Sequence, residues 1–476
     1  MPHTNLINAL YSCLDAYCSI QEPSGLELPL DVVLAFSGGL DSVVLLDLLV
    51  KQQKFSPVRY NLSAVYIDHQ LQADSTTWVN TNREICASYN VNYESYAVEI
   101  LKDKSKSIES LARIARYGQL SKIILNSKTV LITAHHLDDQ AETFLLQLTR
   151  SAGPRGLSAM PKIKSFSKGY HLRPLLDMPK RELQAYAEHH HLHWVDDKTN
   201  SDTKYDRNYI RHQILPRLIQ RWPNMMINIA NSAKNCAEHE LLLNEYLAED
   251  YQKTICESNL LDKLFTAHSI LDVTKLQNCS IEKQRGLLRY WLRKNNTTLP
   301  DRNVIHQIIL MLSSNLNKTP KAKIGVHWVR RHKNKLYLIS DNEEKLNCID
   351  YPNVPYKLGS AADLHGLAIT VTSVKVRDFD KQSDPTLMLN LNVKTDQEII
   401  ICFRRGGERC RPSTRKGSVS LKKLLQEHDI PPWQRNKLPL LYIDGQLAAI
   451  PGVTICEGFE SNLSNLNSWV ISFKKY

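Results

Sequence analysis

One short string limits what this chain can be. Asp31–Phe36 (Asp-Val-Val-Leu-Ala-Phe) reads as a buried strand. It runs straight into Ser37-Gly38-Gly39-Leu40-Asp41-Ser42, and a helix-like segment follows over Asp41–Lys54. Two glycines between strand and helix let the backbone turn sharply and bring several N–H groups to one anion. The helix N-terminus adds its positive end. Ser37 and Ser42 offer further donors. The Gly-Lys-Ser/Thr ending of a Walker loop is missing, and so is a dinucleotide Gly-x-Gly-x-x-Gly. An isolated Gly-Gly would read as an ordinary tight turn, but the whole string after a buried strand favours an anion cradle.

The surroundings repeat the unit. Asn61–Asp68, Tyr93–Ile100 and Thr129–Ala134 are strand-like, while Thr76–Asn90, Ser107–Asn126 and Asp138–Arg150 are helix-like. Alternation at this spacing predicts an α/β fold, a doubly wound parallel sheet covered on both faces, with ligands beyond the carboxyl ends of its strands. From about Pro223 to Ser314 the chain reads as purely helical. Arg302 to Ser340 then holds eight Lys or Arg and no Asp or Glu, and Ile324–Ile339 reads as a strand pair. Short strands from about Asn347 suggest a small α+β domain. The expected division is 1–222, 223–345 and 346–476, in keeping with the roughly three domains that 476 residues imply.

Lys plus Arg number 60 against 49 Asp plus Glu, a net charge of +11, which suggests a polyanionic partner. No apolar run approaches the ~20 residues of a membrane span. The first thirty residues carry no Lys or Arg, unlike the start of a secretory leader. Ten scattered cysteines include no Cys-x-x-Cys, which argues against a zinc ribbon or redox motif and for reduced thiols in a cytoplasm.

Four more segments fall at strand ends or on one helix face. Asp68-His69 closes the second strand. Glu109-Ser110-Leu111-Ala112-Arg113-Ile114-Ala115-Arg116-Tyr117 puts Arg113 and Arg116 on adjacent parts of one helix face. As a solvated Glu109–Arg113 pair it would contribute about 0.3–0.5 kcal/mol; as a site, Arg forks match phosphate or carboxylate oxygens. His135-His136-Leu137-Asp138-Asp139-Gln140-Ala141-Glu142 follows a strand directly. Asp138 or Asp139 could simply cap the helix, but Asp138 and Glu142, four apart, share a face suited to magnesium or an ammonium group. Asp196-Asp197-Lys198-Thr199-Asn200, then Tyr205-Asp206-Arg207-Asn208-Tyr209-Ile210-Arg211, mixes base-edge readers with cations, as an RNA contact or a polar linker would. His189, His190, His191 and His193 point to different helix faces and read as surface or packing residues, not a metal site.

The loop resembles that of the PP-loop ATP pyrophosphatases, in the adenine nucleotide alpha hydrolase-like fold. Ser37–Ser42, Glu109–Tyr117, His135–Thr143 and Asp196–Asp202 with Tyr205–His212, in this order, together with the tail blocks Arg404-Arg405-Gly406-Gly407-Glu408, Arg411-Pro412, Leu421–Glu427 and Ile430–Arg435, resemble the tRNA(Ile)-lysidine synthetase family over nearly the whole chain. Ser413-Thr414 departs from the family pattern, where a Gly is commoner. The resemblance implies ATP-dependent ligation of L-lysine to C2 of the wobble cytidine in the CAU anticodon of tRNA(Ile), through an adenylated cytidine, with release of AMP and pyrophosphate. ATP and Mg2+ are the implied cofactors. Ser37, Gly38, Gly39, Leu40, Asp41 and Ser42 are expected to hold ATP, and Asp41 and Asp138 the metal. Asp41, Arg113, His136, Asp138 and Glu142 are the expected catalytic group. His135 and His136 are expected to position the α-phosphate or shuttle a proton. Arg207, Arg211, Arg405, Arg411, Arg415, Lys422, Lys423 and Arg435 are expected to meet tRNA; the stretch Arg404 to Lys437 has ten Lys or Arg against three acids, with Trp433 among them. A homodimer is compatible with this reading. Two rivals are a tRNA 2-thiolating enzyme, disfavoured because no Cys lies between Cys86 and Cys236, and an RNA-binding nucleotide sensor with a dead loop, disfavoured by the intact carboxylates.

Overall fold

The computed structural model describes residues 4–21, 29–53, 60–70, 75–100, 108–195, 202–256, 260–265, 268–298, 300–315, 318–342, 352–364, 367, 369–376, 387–461 and 468–475. The chain forms two compact units, Met1–Leu242 and Leu243–Tyr476. The division falls within a long helix, Met225–Thr254, which the expected domain scheme keeps whole.

In the first unit α1 (Thr4–Gln21) precedes β1 (Leu30–Ala35), α2 (Leu40–Gln53), β2 (Tyr60–Asp68), α3 (Ser75–Ser88), β3 (Asn92–Ala97), α4 (Ile108–Ile123), β4 (Thr129–Ile132) and α5 (Leu137–Thr149). A short α6 (Pro154–Leu157) leads to the hairpin β5 (Ile163–Phe166) and β6 (Gly169–Leu172), then α7 (Lys180–His189). The sheet order is β3-β2-β1-β4-β6-β5. All neighbours are parallel except β5 with β6. Successive residues of β1 point to opposite faces, as pleating requires. Val32 and Leu34 pack with Leu10 of α1 and Leu45 and Leu48 of α2. Val33 packs instead with Leu131, Leu120 and Ile124 beneath α4.

This order positions the site. From β1 the chain winds outward to β2 and β3, then returns to place β4 on the other side of β1. The carboxyl ends of β1 and β4 therefore flank the point where winding reverses, where open α/β sheets bind ligands. The loop 36–39 and the loop 133–136 leave those two ends.

The second unit departs from expectation. Leu271–Asp272, in the stretch read as purely helical, is a strand, β7. It pairs with β10 (Lys335–Ser340), followed in the sheet by β9 (His327–His332) and β8 (Lys321–Ile324). Helix Ile281–Lys294 lays Leu287, Leu288, Trp291 and Leu292 on that core. Among the described residues the C-terminal part holds antiparallel sheets of five, four and two strands, and helices Leu421–Glu427 and Pro432–Arg435, the expected α+β character.

Candidate active site at the β1 and β4 carboxyl ends

Local chemistry shapes the first loop. Ser42 Oγ donates to Gly39 O (2.9 Å) and lies 3.1 Å from Ser37 Oγ, while Gly39 N donates to Ser37 Oγ (3.3 Å). The two serines thus brace the turn from inside. The first helical amides, those of Leu40, Asp41 and Ser42, have no carbonyl four residues back within α2, as at any helix start. Gly38 has φ +77°, and a Cβ there would sit 1.8 Å from Asn82 Oδ1. Only glycine satisfies both conditions. Asn82 itself is fully buried on α3 against this loop and belongs to no sequence motif.

The second loop brings carboxylates to the first. His136, 2% exposed, stands at the start of α5. Its Nε2 is 3.5 Å from Asp41 Oδ2 and 3.4 Å from Asp139 Oδ2, and its Nδ1 is 3.6 Å from Asp138 Oδ2. Burial opposes its protonation, but Asp139, Asp138 and Asp41 together raise it to about 10, so it is an imidazolium at neutral pH. Asp139 Oδ2 accepts from His136 N (3.0 Å), so the N-cap position falls on His136 and neither aspartate occupies it; Asp139 closes a capping box from the third helical position. Asp138 Oδ2 accepts from Lys180 N at the start of α7 (3.0 Å).

Glu142 is not an open partner of Asp138. It is 0% exposed, and Arg207 Nε reaches its Oε2 (2.7 Å) while Arg211 Nε reaches its Oε1 (2.5 Å). Arg207 Nη2 also meets Asp139 Oδ1 (2.8 Å). The expected shared Asp138/Glu142 face is therefore corrected to two separate groupings. The expected RNA contacts Arg207 and Arg211 are committed here as internal counter-charges. Desolvation makes an unpaired buried carboxylate prohibitive, which is why the pairing forms.

Arg113 lies over the Tyr117 ring, 4.9 Å to its centroid, with no Glu109 ion pair among the described residues. Arg116 Nε donates to His69 Nε2 (3.2 Å), joining two of the expected segments. Residues 196–201 lie outside the described residues. His190 packs on Tyr186, ring centroids 4.3 Å apart, as the packing reading expects. In the tail, Arg405, Arg411, Arg415, Lys422 and Lys423 are exposed, although Arg411 pairs with Glu457 and Arg415 with Glu427. Arg435 is half-buried and donates to Ile430 O. Trp433 is 5% exposed, packed under Arg330 and against His332 and Tyr337, so it is a core residue and not a base-stacking platform.

The residues fit the expected cofactors in two respects. Asp41 Oδ1 is buried without a hydrogen-bond partner, leaving one carboxylate oxygen for a hard cation. The loop amides and α2 N-terminus suit phosphate oxygens.

A PP-loop domain model matches residues 19–218, a TilS substrate binding domain model 271–337, and a TilS substrate C-terminal domain model 399–472. The chain is 36% identical over 434 residues to the tRNA(Ile)-lysidine synthase of Coxiella burnetii, covering 90% of each. It is 34% identical to that of Legionella pneumophila strain Lens, covering 92% of this chain and 95% of the relative. Among solved structures, a U34-tRNA thiolase from Methanococcus maripaludis aligns over 48% of this chain and 80% of its own, with 19% identity and a TM-score of 0.38. On the extent of the full-length matches, the chain belongs to the tRNA(Ile)-lysidine synthase family.

Proposed function

We propose that this protein ligates L-lysine to the wobble cytidine of a CAU-anticodon isoleucine tRNA. The observation that carries the reading is the meeting of Ser37–Ser42 with the Asp41, Asp138, Asp139 and His136 cluster at one switch point, in a chain of this family.

The C2 oxygen of cytidine is a poor leaving group. In the first step it attacks the α-phosphorus of ATP, an O–P bond forms, and the bond to pyrophosphate breaks. The Leu40–Ser42 amides and the Ser37 hydroxyl hold the departing pyrophosphate where its charge develops, while Ser42 braces the turn through Gly39 O. In the second step the neutral ε-amine of lysine attacks C2, the C2–O bond breaks and AMP leaves; the amine's proton passes to solvent or a site carboxylate. Mg2+, held by Asp41 and Asp138, would supply charge neutralisation at the phosphates. Arg113, free of carboxylate partners among the described residues, is suited to the lysine carboxylate, and Asp138 to an ammonium group. Glu142 acts through Arg207 and Arg211, as the anchor of the wall beside Asp139. The exposed basic residues Arg405, Arg411, Arg415, Lys422 and Lys423 would meet tRNA phosphates. The parts 1–222, 223–345 and 346–476 would divide chemistry from tRNA binding.

The test is AMP release from ATP with and without the isoleucine transcript. Asp41→Ala should abolish tRNA-dependent AMP release while tRNA affinity stays within about twofold of the parent. A folded D41A chain that loses tRNA binding and turnover together would refute the division of labour.

A further inference from the structure

Behind the carboxylate cluster lies a second polar group that the proposed chemistry leaves unused. Thr133, His135, His171 and Arg173 sit at the carboxyl ends of β4 and β6. Thr133 Oγ1 is 2.6 Å from His135 Nδ1 and 2.8 Å from His171 Nε2. Arg173 Nη2 is 3.0 Å from His171 Nδ1, and Arg173 Nη1 donates to Pro161 O (2.7 Å). His171 and Arg173 are almost wholly buried, and the rings of Tyr117 and Phe166 pack against His171. Packing alone does not ask for four hydrogen-bonding side chains in a sheet end, since apolar residues of similar volume would fill it at lower desolvation cost.

Donor and acceptor chemistry constrains the protons along this chain. Guanidinium only donates. His171 Nδ1 must therefore accept from Arg173, which excludes both the Nδ1–H tautomer and the imidazolium. His171 then carries its proton on Nε2 and donates it to Thr133 Oγ1. The threonine has one hydroxyl hydrogen, and its remaining neighbour is His135 Nδ1. Donation to His135 Nδ1 uses that hydrogen, whereas an Nδ1–H there would leave the hydroxyl hydrogen with no acceptor among the described residues, so the His135 proton is assigned to Nε2. Charge supports the same assignment. Burial first, and then the neighbouring Arg173, Arg207 and Arg113, lower His135 to about 3 against the pull of Asp139. Burial and Arg173 likewise hold His171 well below its ordinary value.

The contrast with the next residue is chemical. His136 is wrapped by three carboxylates; His135 is half-buried, its Nδ1 faces Thr133, and its Nε2 has no hydrogen-bond partner among the described residues. A neutral imidazole N–H can donate to a developing negative oxygen without first giving up its proton to the site.

We propose that Thr133, His171 and Arg173 are positioning residues that lock His135 as the neutral Nε2–H tautomer, so that it donates a hydrogen bond to an oxygen of the nucleotide being activated. The identity of that oxygen rests on the lysidine-forming reading above, whereas the tautomer lock does not. The chain works by second-sphere orientation: each partner fixes the next ring's tautomer and angle, as with the carboxylates that orient catalytic histidines.

The experiment uses the full chain with 15N-histidine labelling, and His135→Gln to assign the His135 signals. Long-range 1H–15N correlation reads the tautomer directly, without substrate. The native protein should show His135 protonated on Nε2 only, and unchanged from neutral to mildly acidic pH. An Nδ1–H signal, or protonation in that range, would overturn the proposal whatever the enzyme's activity. Thr133→Val keeps the shape and removes the hydroxyl. It should mix the tautomers and lower kcat on the order of tenfold or more with little change in KM for ATP, and Thr133→Ser should restore both. A folded T133V chain with mixed tautomers and full kcat would remove His135 from the reaction. If T133V does not fold, the native spectrum and the T133S variant still decide the lock. Absence of lysidine formation by the native protein would count against the functional reading alone.

Discussion

At Gly38 two constraints coincide: a left-handed φ of +77° and the Asn82 amide in the space of a side chain. Gly38→Ala should therefore lower ATP-dependent turnover at least about tenfold, since strained backbone at one residue costs about 1–3 kcal/mol before any clash is counted. Adding Asn82→Ala removes the clash but not the backbone strain, so kcat/KM for ATP should recover only in part; full recovery would show that φ is unimportant. Glu142 gives a stability counterpart. Glu142→Ala leaves Arg207 and Arg211 with Asp139 as their one remaining ion-pair partner among the described residues and should destabilise the first unit by roughly 3–5 kcal/mol, read by urea unfolding. A change below about 1 kcal/mol would mean that the arginines find water instead. The loop serines, Asp41, His136 and Asp138, which the structure draws together, were legible in the sequence because each lies in a contiguous motif; Arg113 was singled out in the same way, and the structure lays it over Tyr117. Asn82, Thr133, His171 and Arg173 were not, because each stands alone. The Glu142–Arg207 pair was also hidden, since its partners are 65 positions apart and only the fold brings them together.

Among the elements, those with clean periodicity emerged where expected: β1, β2, β4 and the helices between them. The hairpin of β5 and β6 left little trace. Its outer strand shows no buried position, and its inner strand buries His171, a residue that reads as surface in a sequence. Strand β7 is two residues long, too short for any alternation to register, and exists because β10 offers an edge. In the tail, Glu408 shapes the turn 404–408: its carboxylate accepts from the amides of Arg405 and Gly406. Burial works against its ionisation, but those amides outweigh it and hold the group below the usual glutamate range. A depressed folded value means stabilisation that is full above the unfolded value and lost as pH falls through the folded one. Glu408→Gln should thus lower the unfolding midpoint at neutral pH, with the gap to the parent closing in strong acid. A gap that persists there would assign the effect to shape and not to charge.

Over the whole molecule, net charge +11 predicted a polyanionic partner, and the structure leaves much of the tail's charge on the surface while drawing Arg207 and Arg211 inward. Bulk composition could not separate those two uses of arginine, because both satisfy the same charge count. If the tail meets tRNA phosphates, replacing Arg405, Lys422 and Lys423 with Ala should reduce the slope of log affinity against log salt by about 0.7–0.9 for each phosphate no longer neutralised. An unchanged slope would place the tRNA elsewhere. No helix among the described residues is long and apolar enough to cross a membrane. The central claim is the reaction itself. The most direct measurement is transfer of radiolabelled lysine, with ATP, to an unmodified CAU-anticodon isoleucine transcript beside the matching methionine tRNA. The account predicts label in the isoleucine transcript alone, with AMP released; AMP release without label in either transcript would contradict lysine as the acceptor amine.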